Sequence, residues 1–304
     1  MRRLGHALGW LALIAIVMGI TWAVGAESWS DRWGASDEEV AAVLPGDELI
    51  EEPAMVTTRA LTVRASSDQV WPWIAQFGQA RGGLYSYDWL ERLFGIDMTS
   101  ASVILPDEQR IAVGDQIWIT QPGYPADLGH VVADVQPGRA LVLATSTPDR
   151  PTAPEDAPWT WTFALQPAAD NTTRLIVRNR TATMGPVGDA IWDRVVGPIG
   201  FVMERKTMLG IAQRAEAAAG VETRWVGWET VWFAGLVVTA VAILVIAGTR
   251  APWRRKAAYV VVLTAVATLV LFRITSAIAS VVLAAFGCGV AVLLWQAWAS
   301  SRHG

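Results

Sequence analysis

Residues 70–95, VWPWIAQFGQARGGLYSYDWLERLFG, hold the pattern that decides the fold. Val70, Ile74 and Phe77 recur at the spacing of one helical face, and the serines at 66–67 are suitable N-caps for that helix. The proline within it stands close to its start, where proline is tolerated better than in the middle of a helix. The segment therefore predicts a helix that packs one apolar face on a core.

The elements around this segment predict an α+β domain. The order is a strand, two short helices, about six further strands and a long helix. The second short helix is expected at 86–93, and the long helix at 188–219 with a kink at Gly197-Pro198. An antiparallel sheet wrapped on a long C-terminal helix satisfies this order and leaves a space between sheet and helix.

Composition indicates a membrane protein. The 304 residues are 53% hydrophobic and 17% charged, whereas a soluble domain has about 25% charged residues. Apolar runs long enough to cross a bilayer predict about four transmembrane helices. These runs are 8–24, 228–247, 257–272 and 276–298. The first run, within residues 1–26, is either an uncleaved signal anchor or a signal peptide that is cut near Ala26.

The charges predict the orientation in the cell membrane. Residues 27–226 contain 27 acidic and 16 basic residues, while clusters of basic residues lie at alternate ends of the apolar runs. Because Lys and Arg collect on the cytoplasmic side, both termini are expected in the cytoplasm and the acidic part outside it. The domains are then the anchor, an acidic linker with a short helix at 27–55, a globular domain at 56–224 and three spans within 225–304. The acidic charge disfavours nucleic-acid binding.

No cofactor, metal or catalytic set is predicted. One cysteine and three well-separated histidines do not make a metal site, and the GxSxG, HExxH and P-loop motifs are absent from the sequence. His130 is expected beside Asp134 on one face of a strand, as a candidate general base. Asp88 is a polar candidate on a helix, and Arg81 could bind an anionic head group or tie a loop to a carboxylate.

Aromatic residues are concentrated in the globular domain, and they form either an ordinary core or the wall of an apolar pocket. They are Tyr85, Tyr87, Trp89, Trp118, Trp159 and Trp161. The residues expected to bind a ligand are Tyr85, Tyr87, Trp118, Trp161, Asn179 and Met203, with Arg81, Asp88 and His130 as polar candidates.

Several motifs resemble one superfamily. They are VWPWIAQFGQARGGLYSYDWLERLFG preceded by RWGASDEEV and PGDEL, then VGDQIWI at 113–119, WTWTFAL at 159–165 and TRLIVRNR at 173–180. In this order they resemble a bacterial membrane-anchored branch of the SRPBCC (START-like, polyketide cyclase-like) superfamily over residues 33–218. The resemblance implies a helix-grip fold, in which a seven-stranded antiparallel sheet surrounds a long C-terminal helix and a deep hydrophobic cavity. Members bind lipids, sterols, polyketides or plant hormones, and a minority are enzymes.

These observations predict an integral membrane protein whose extracytoplasmic domain binds a hydrophobic small molecule or lipid. Two alternatives stay open. One is a polyketide cyclase-like or hydrolase-like enzyme that uses His130, Asp88 or Tyr87, although no shared catalytic set carries over from the superfamily. The other is a ligand-responsive signalling or scaffold protein that acts through its C-terminal spans.

Overall fold

The structure is a computed structural model that describes residues 27–125, 129–146 and 158–222, together with Val241 and Tyr259. The chain divides into two compact units, of which residues 31–224 form one. Apart from those two single residues, the four predicted membrane spans lie outside the described residues. Within the described residues, no helix has the length and apolar character needed to cross a bilayer.

Six antiparallel strands in the described residues form one sheet with the order β1-β6-β5-β4-β3-β2. The strands are β1 (Met55–Val63), β2 (Gln116–Trp118), β3 (Gly129–Gln136), β4 (Ala140–Ser146), β5 (Trp159–Ala168) and β6 (Thr172–Thr181). The helices are α1 (Glu27–Asp31), α2 (Asp37–Ala41), α3 (Ser67–Ala75), α4 (Asp88–Leu93), α5 (Gly185–Ile191) and α6 (Gly197–Ala218). The predicted α+β class and the long C-terminal helix are confirmed, but five strands follow α4 where about six were expected, and the sheet has six described strands where the resemblance implies seven.

The two faces of β6 have opposite chemistry, as its alternating sequence predicts. Leu175 and Val177 are fully buried on the inner face, which is the face toward α6. Arg174, Arg178 and Arg180 lie on the outer face. Their bonding partners all belong to the segment that precedes β1, apart from threonine hydroxyls of β1 itself.

That N-terminal segment covers the outer face of the sheet. Ser36 caps α2 in a capping box with Glu39. Part of this acidic segment is not solvated but packs on the sheet. Glu39 accepts two hydrogen bonds of 2.7 Å from Arg174, and Asp47 accepts one of 2.7 Å from Arg178. The acidic residues are thus ion-paired to the arginines of β6.

The long C-terminal helical stretch is interrupted by a π-helical turn at Trp192–Val196. At its end, the N–H of Gly197 donates to the carbonyl of Trp192, five residues earlier. Pro198 follows and has no N–H to donate, so regular α-helical bonding is broken at this place. The sequence predicted a kink at Gly197-Pro198, and the structure has a π-helical turn immediately before these residues.

The predicted placement of His130 and Asp134 on one face is wrong. His130 pairs with Thr145 and Asp134 with Val142, and the register shifts between Val132 and Asp134. The β-bulge at this shift adds one residue to β3. Because side chains alternate along a strand, one extra residue moves Asp134 to the outer face while His130 stays on the inner face.

Candidate functional site

The interface between the sheet and the C-terminal helices is closed at one end and open at the other. At the closed end, Phe77 packs at 5.3 Å between ring centroids against both Trp161 and Phe163. At the other end, Trp159 and Asn179 face inward on neighbouring strands yet are only half-buried. Because solvent still reaches these inward-facing side chains, this is the solvent-accessible end of the interface, here called the open end.

A cluster of four side chains, here called the inner polar cluster, lies at the open end. It consists of Arg59 on β1, Trp159 on β5, Asn179 on β6 and Glu204 on α6. Arg59 Nη1 donates to Glu204 Oε1 at 2.6 Å, and Asn179 Nδ2 donates to Glu204 Oε2 at 2.6 Å. The indole N–H of Trp159 donates to Asn179 Oδ1 at 2.8 Å. One carboxylate therefore joins α6 to two strands.

The ion pair in this cluster is removed from water. The side chains of Arg59 and Glu204 are 5% and 6% exposed. The guanidinium of Arg59 also lies 5.2 Å from the ring centroid of Phe201 and 3.8 Å from the carboxylate of Asp31. A buried charge needs such compensation, because desolvation of an ion costs several kcal/mol. The cluster is thus a rigid boundary of the open end.

His130 and Trp161, here called the His–Trp pair, lie next to the cluster with ring centroids 6.2 Å apart. The edge of His130 meets Trp159 at 4.7 Å, and Trp159 stacks on Trp161 at 5.8 Å. Burial lowers the pKa of the His130 imidazole to about 3, so the ring is neutral at physiological pH. Among the described residues, His130 Nδ1 and Trp161 Nε1 have no hydrogen-bond partner.

The π-helical turn brings a further ring to the open end. Trp192, its first residue, meets Trp159 edge-on at 5.6 Å between centroids. Trp192 is half-buried. π-Helical turns re-aim side chains within a helix and are frequent at functional sites. A row of four aromatic rings thus runs from the buried His130 and Trp161 to the half-buried Trp159 and Trp192 at this end.

Two predicted tyrosines belong to the core rather than to this end. Tyr85 is buried, and its hydroxyl donates to the carbonyl of Trp73 at 2.9 Å. Burial raises the pKa of Tyr85 to about 12. Tyr87 is buried where the Lys206 ammonium lies 5.8 Å from its ring centroid. Neither contact belongs to the inner polar cluster or the His–Trp pair.

Trp118 and Met203 also lie elsewhere. Ile117 pairs with His130 and shares the inner face, so its neighbour Trp118, which pairs with Gly129, lies on the outer face. Met203 is on the flank of α6, where its carbonyl accepts from the Ser86 hydroxyl at 3.3 Å. The structure therefore brings together three of the predicted residues, namely Trp161, Asn179 and His130.

The other polar candidates hold loops. Arg81 forms an ion pair with Glu108 at 3.0 Å and donates to the carbonyls of Ala75 and Glu108. Of the two roles that the sequence suggested for Arg81, it thus ties a loop to a carboxylate. Asp88 accepts from the backbone N–H and the hydroxyl of Ser100, both at 2.7 Å. In the part of the chain that the structure describes, no group of three or more His, Cys, Asp or Glu could hold a metal ion.

No family model matches the chain, and no curated protein matches it. Solved structures with a similar arrangement include a protein from Mesorhizobium loti, with 13% identity, a TM-score of 0.32 and coverage of 54% of this chain and 98% of that one. The Aha1 dimer from Colwellia psychrerythraea has 13% identity and a TM-score of 0.31, covering 52% and 98%. A polyketide cyclase-like protein from Corynebacterium glutamicum has 14% identity and a TM-score of 0.28, covering 58% and 93%.

The strand order and the long helix across the inner face, taken by themselves, are those of a helix grip. The described domain thus has a helix-grip arrangement, in which an antiparallel sheet packs against a long C-terminal helix. In the sheet, β1 lies at one edge beside β6. Along the chain, the helices α3 and α4 lie between β1 and β2.

Sequence reasoning missed both members of the ion pair. Arg59 lies on the same face of β1 as Leu61 and Val63, so it places a charge on an otherwise apolar face. Glu204 lies four residues before Met208 and three after Phe201, so it interrupts an apolar helical stripe. A charge at a core position in each of two elements is the signal that could have paired them.

Proposed function

We propose that the domain binds a hydrophobic small molecule or lipid at the open end of the sheet–helix interface. The observation that carries this proposal is the half-buried pair Trp159 and Trp192, which lies beside buried aromatic rings and a buried, internally bonded polar cluster. Binding sites for apolar molecules combine aromatic walls with a few fixed polar groups. The closed end, which is filled by Phe77 and Phe163, gives such a molecule a floor.

Binding is favoured over catalysis by the chemistry of the three candidate proton-transfer groups. Asp88 is engaged by Ser100 and Tyr87 packs near Lys206, away from the inner polar cluster. His130 faces the site, but its pKa of about 3 makes it a poor general base near neutral pH. The inner polar cluster uses its own donors and acceptors internally, which suits a rigid wall better than a proton relay.

We further propose that the domain is tethered beside a membrane and takes its ligand from the bilayer. Four apolar runs and the alternating basic clusters of the sequence support this part of the proposal. A tethered domain would receive an apolar molecule without a long passage through water. Alkaline extraction of cell membranes should leave the full chain in the membrane fraction, and protease added to spheroplasts should cleave the domain. Recovery of the chain in the soluble fraction would contradict the tether.

The binding proposal is tested with the full chain in lipid nanodiscs. Organic extracts are compared by mass spectrometry for the wild type, for Trp159→Ala and for empty nanodiscs. An apolar compound should be enriched with the wild type and reduced at least about fivefold with Trp159→Ala, because the change removes a ring that contacts His130, Trp161 and Trp192.

Trp89→Ala is the matched control, since Trp89 is 53% exposed on α4. It should retain the compound at the wild-type level. Hydrogen exchange of β5 and β6 verifies that each variant is folded. Equal extracts from the wild type and from a folded Trp159→Ala protein would refute binding at this end.

A further inference from the structure

The His–Trp pair presents two buried polar atoms that form no hydrogen bond with any described residue. His130 is 0% exposed and Trp161 is 6% exposed. Within the described residues, His130 Nδ1 and Trp161 Nε1 have no partner. Buried polar atoms are nearly always hydrogen-bonded, because an unmade bond in the interior is unfavourable. Two such atoms on adjacent rings at the open end therefore call for a chemical explanation.

The neighbouring hydroxyl determines which proton His130 carries. Thr145 Oγ1 donates its only proton to the carbonyl of Trp159 at 3.0 Å. The same oxygen lies 3.5 Å from His130 Nε2, so in this contact it can only accept. In the tautomer that satisfies this contact, the neutral imidazole carries its proton on Nε2, and Nδ1 has a free lone pair.

The pair consequently offers one acceptor and one donor. His130 Nδ1 accepts a hydrogen bond, and the indole Nε1–H of Trp161 donates one. An uncharged hydroxyl matches both, because it has one proton to give and lone pairs to receive. A carboxylate has no proton for the imidazole lone pair, and an ammonium group has no lone pair for the indole N–H.

We propose that the His–Trp pair binds the hydroxyl group of an uncharged, otherwise apolar ligand, an inference that rests on the proposed binding function. The hydroxyl donates to His130 Nδ1 and accepts from Trp161 Nε1. The apolar body lies along Trp159 and Trp192, whose rings are 5.6 Å apart. The ion pair of Arg59 and Glu204 is already complete, so the site attracts neither sign of charge.

Matched probes test the hydroxyl directly. Full-length chain in lipid nanodiscs is incubated with radiolabelled dodecan-1-ol, dodecyl methyl ether or dodecane, and binding is counted above that of empty nanodiscs. The alcohol should bind about fivefold more tightly than the ether, which only accepts, and the ether more tightly than the alkane. Each step reflects one neutral hydrogen bond.

Two variants separate the two contacts. His130→Phe keeps an aromatic ring but loses the acceptor, so it should weaken the alcohol about fivefold and leave the ether unchanged. Trp161→Phe loses the donor, so it should weaken both the alcohol and the ether and leave dodecane unchanged. Hydrogen exchange of β3 and β5 verifies that both variants are folded.

The outcomes distinguish this inference from the function on which it rests. Equal binding of all three probes by the wild type overturns the hydroxyl contact and leaves apolar binding intact. Equal effects of His130→Phe on alcohol and ether also overturn it. Absence of binding for every probe overturns both the inference and the binding proposal.

Discussion

Replacing Arg59 by methionine isolates a negative charge inside the protein. The methionine retains a long unbranched side chain beside Phe201 but removes the guanidinium, which lies 2.6 Å from Glu204 Oε1. Both side chains of the pair are at most 6% exposed, so water cannot replace the lost partner. Loss of one member of a buried ion pair lowers the free energy of unfolding by about 3–5 kcal/mol.

The loss of stability caused by Arg59→Met depends on the groups that remain near Glu204. Asn179 Nδ2 still donates at 2.6 Å, but an amide carries no charge and supplies a single bond. The double variant Arg59→Met with Glu204→Gln removes the charge and keeps a side-chain oxygen for Asn179. We therefore expect the second change to restore at least about half of the stability that the first one removes.

Pulse proteolysis of the full chain in urea measures the free energy of unfolding of the domain. Arg110→Met is the matched control, because Arg110 is exposed, and its effect should stay within about 0.5 kcal/mol. If Arg59→Met lowers the stability by less than about 1 kcal/mol, the pair behaves as a surface salt bridge and the assignment of a buried boundary is wrong. The same conclusion follows if the double variant is as unstable as the single one.

Three further changes test other parts of the domain. His130 has an unfolded pKa of 6.5 and a folded pKa of about 3, so the unfolded state binds more protons between these values. Stability should fall by up to about 1.4 kcal/mol per unit as the pH drops below 6.5, and His130→Phe should flatten this slope in urea titrations; an unchanged slope would contradict the burial. Burial, with a smaller contribution from Asp88, raises the pKa of Glu91 to about 7 from 4.5. The folded state then binds more protons, and stability is lost as the pH rises through 7. Glu91→Gln should therefore raise the melting temperature at pH 8 but not at pH 4. Equal effects at both pH values would contradict a raised pKa of Glu91. Arg178→Lys should lower stability by about 2 kcal/mol, because a single ammonium cannot replace the guanidinium that bonds Thr58, Asp47 and three carbonyls. Hydrogen exchange at residues 37–50 should rise, whereas the exposed Arg139→Lys should leave it unchanged.

Local features of the fold could be read from the sequence because they depend on neighbours in the chain. The alternation that puts Leu175 and Val177 on one face of β6 is a period of two. The capping box of Ser36 and Glu39 spans three residues. Each is fixed by backbone geometry within a few residues, so no distant contact is needed to predict it.

The site could be predicted only in part. Trp161, Asn179 and His130 were chosen from the sequence, and the structure places them together. Trp118 was chosen as well, but it lies on the outer face because β2 pairs Ile117 with His130. Which side chains of a three-residue strand face inward depends on its register with the neighbouring strand. That register is set by strand pairing and cannot be read from three residues. The bulge that separates Asp134 from His130 is likewise a feature of how β3 pairs with β4.

The amino-acid sequence alone determined the α+β class, the order of its main elements and which apolar runs could enter a bilayer, because periodicity and composition act over short stretches. Only the tertiary structure decided that Arg59 meets Glu204, a residue 145 positions away along the chain. Such a contact depends on the packing of α6 across the sheet, and no local pattern encodes the distance between the two elements. The open end, with its buried lone pair and indole N–H, exists for the same reason.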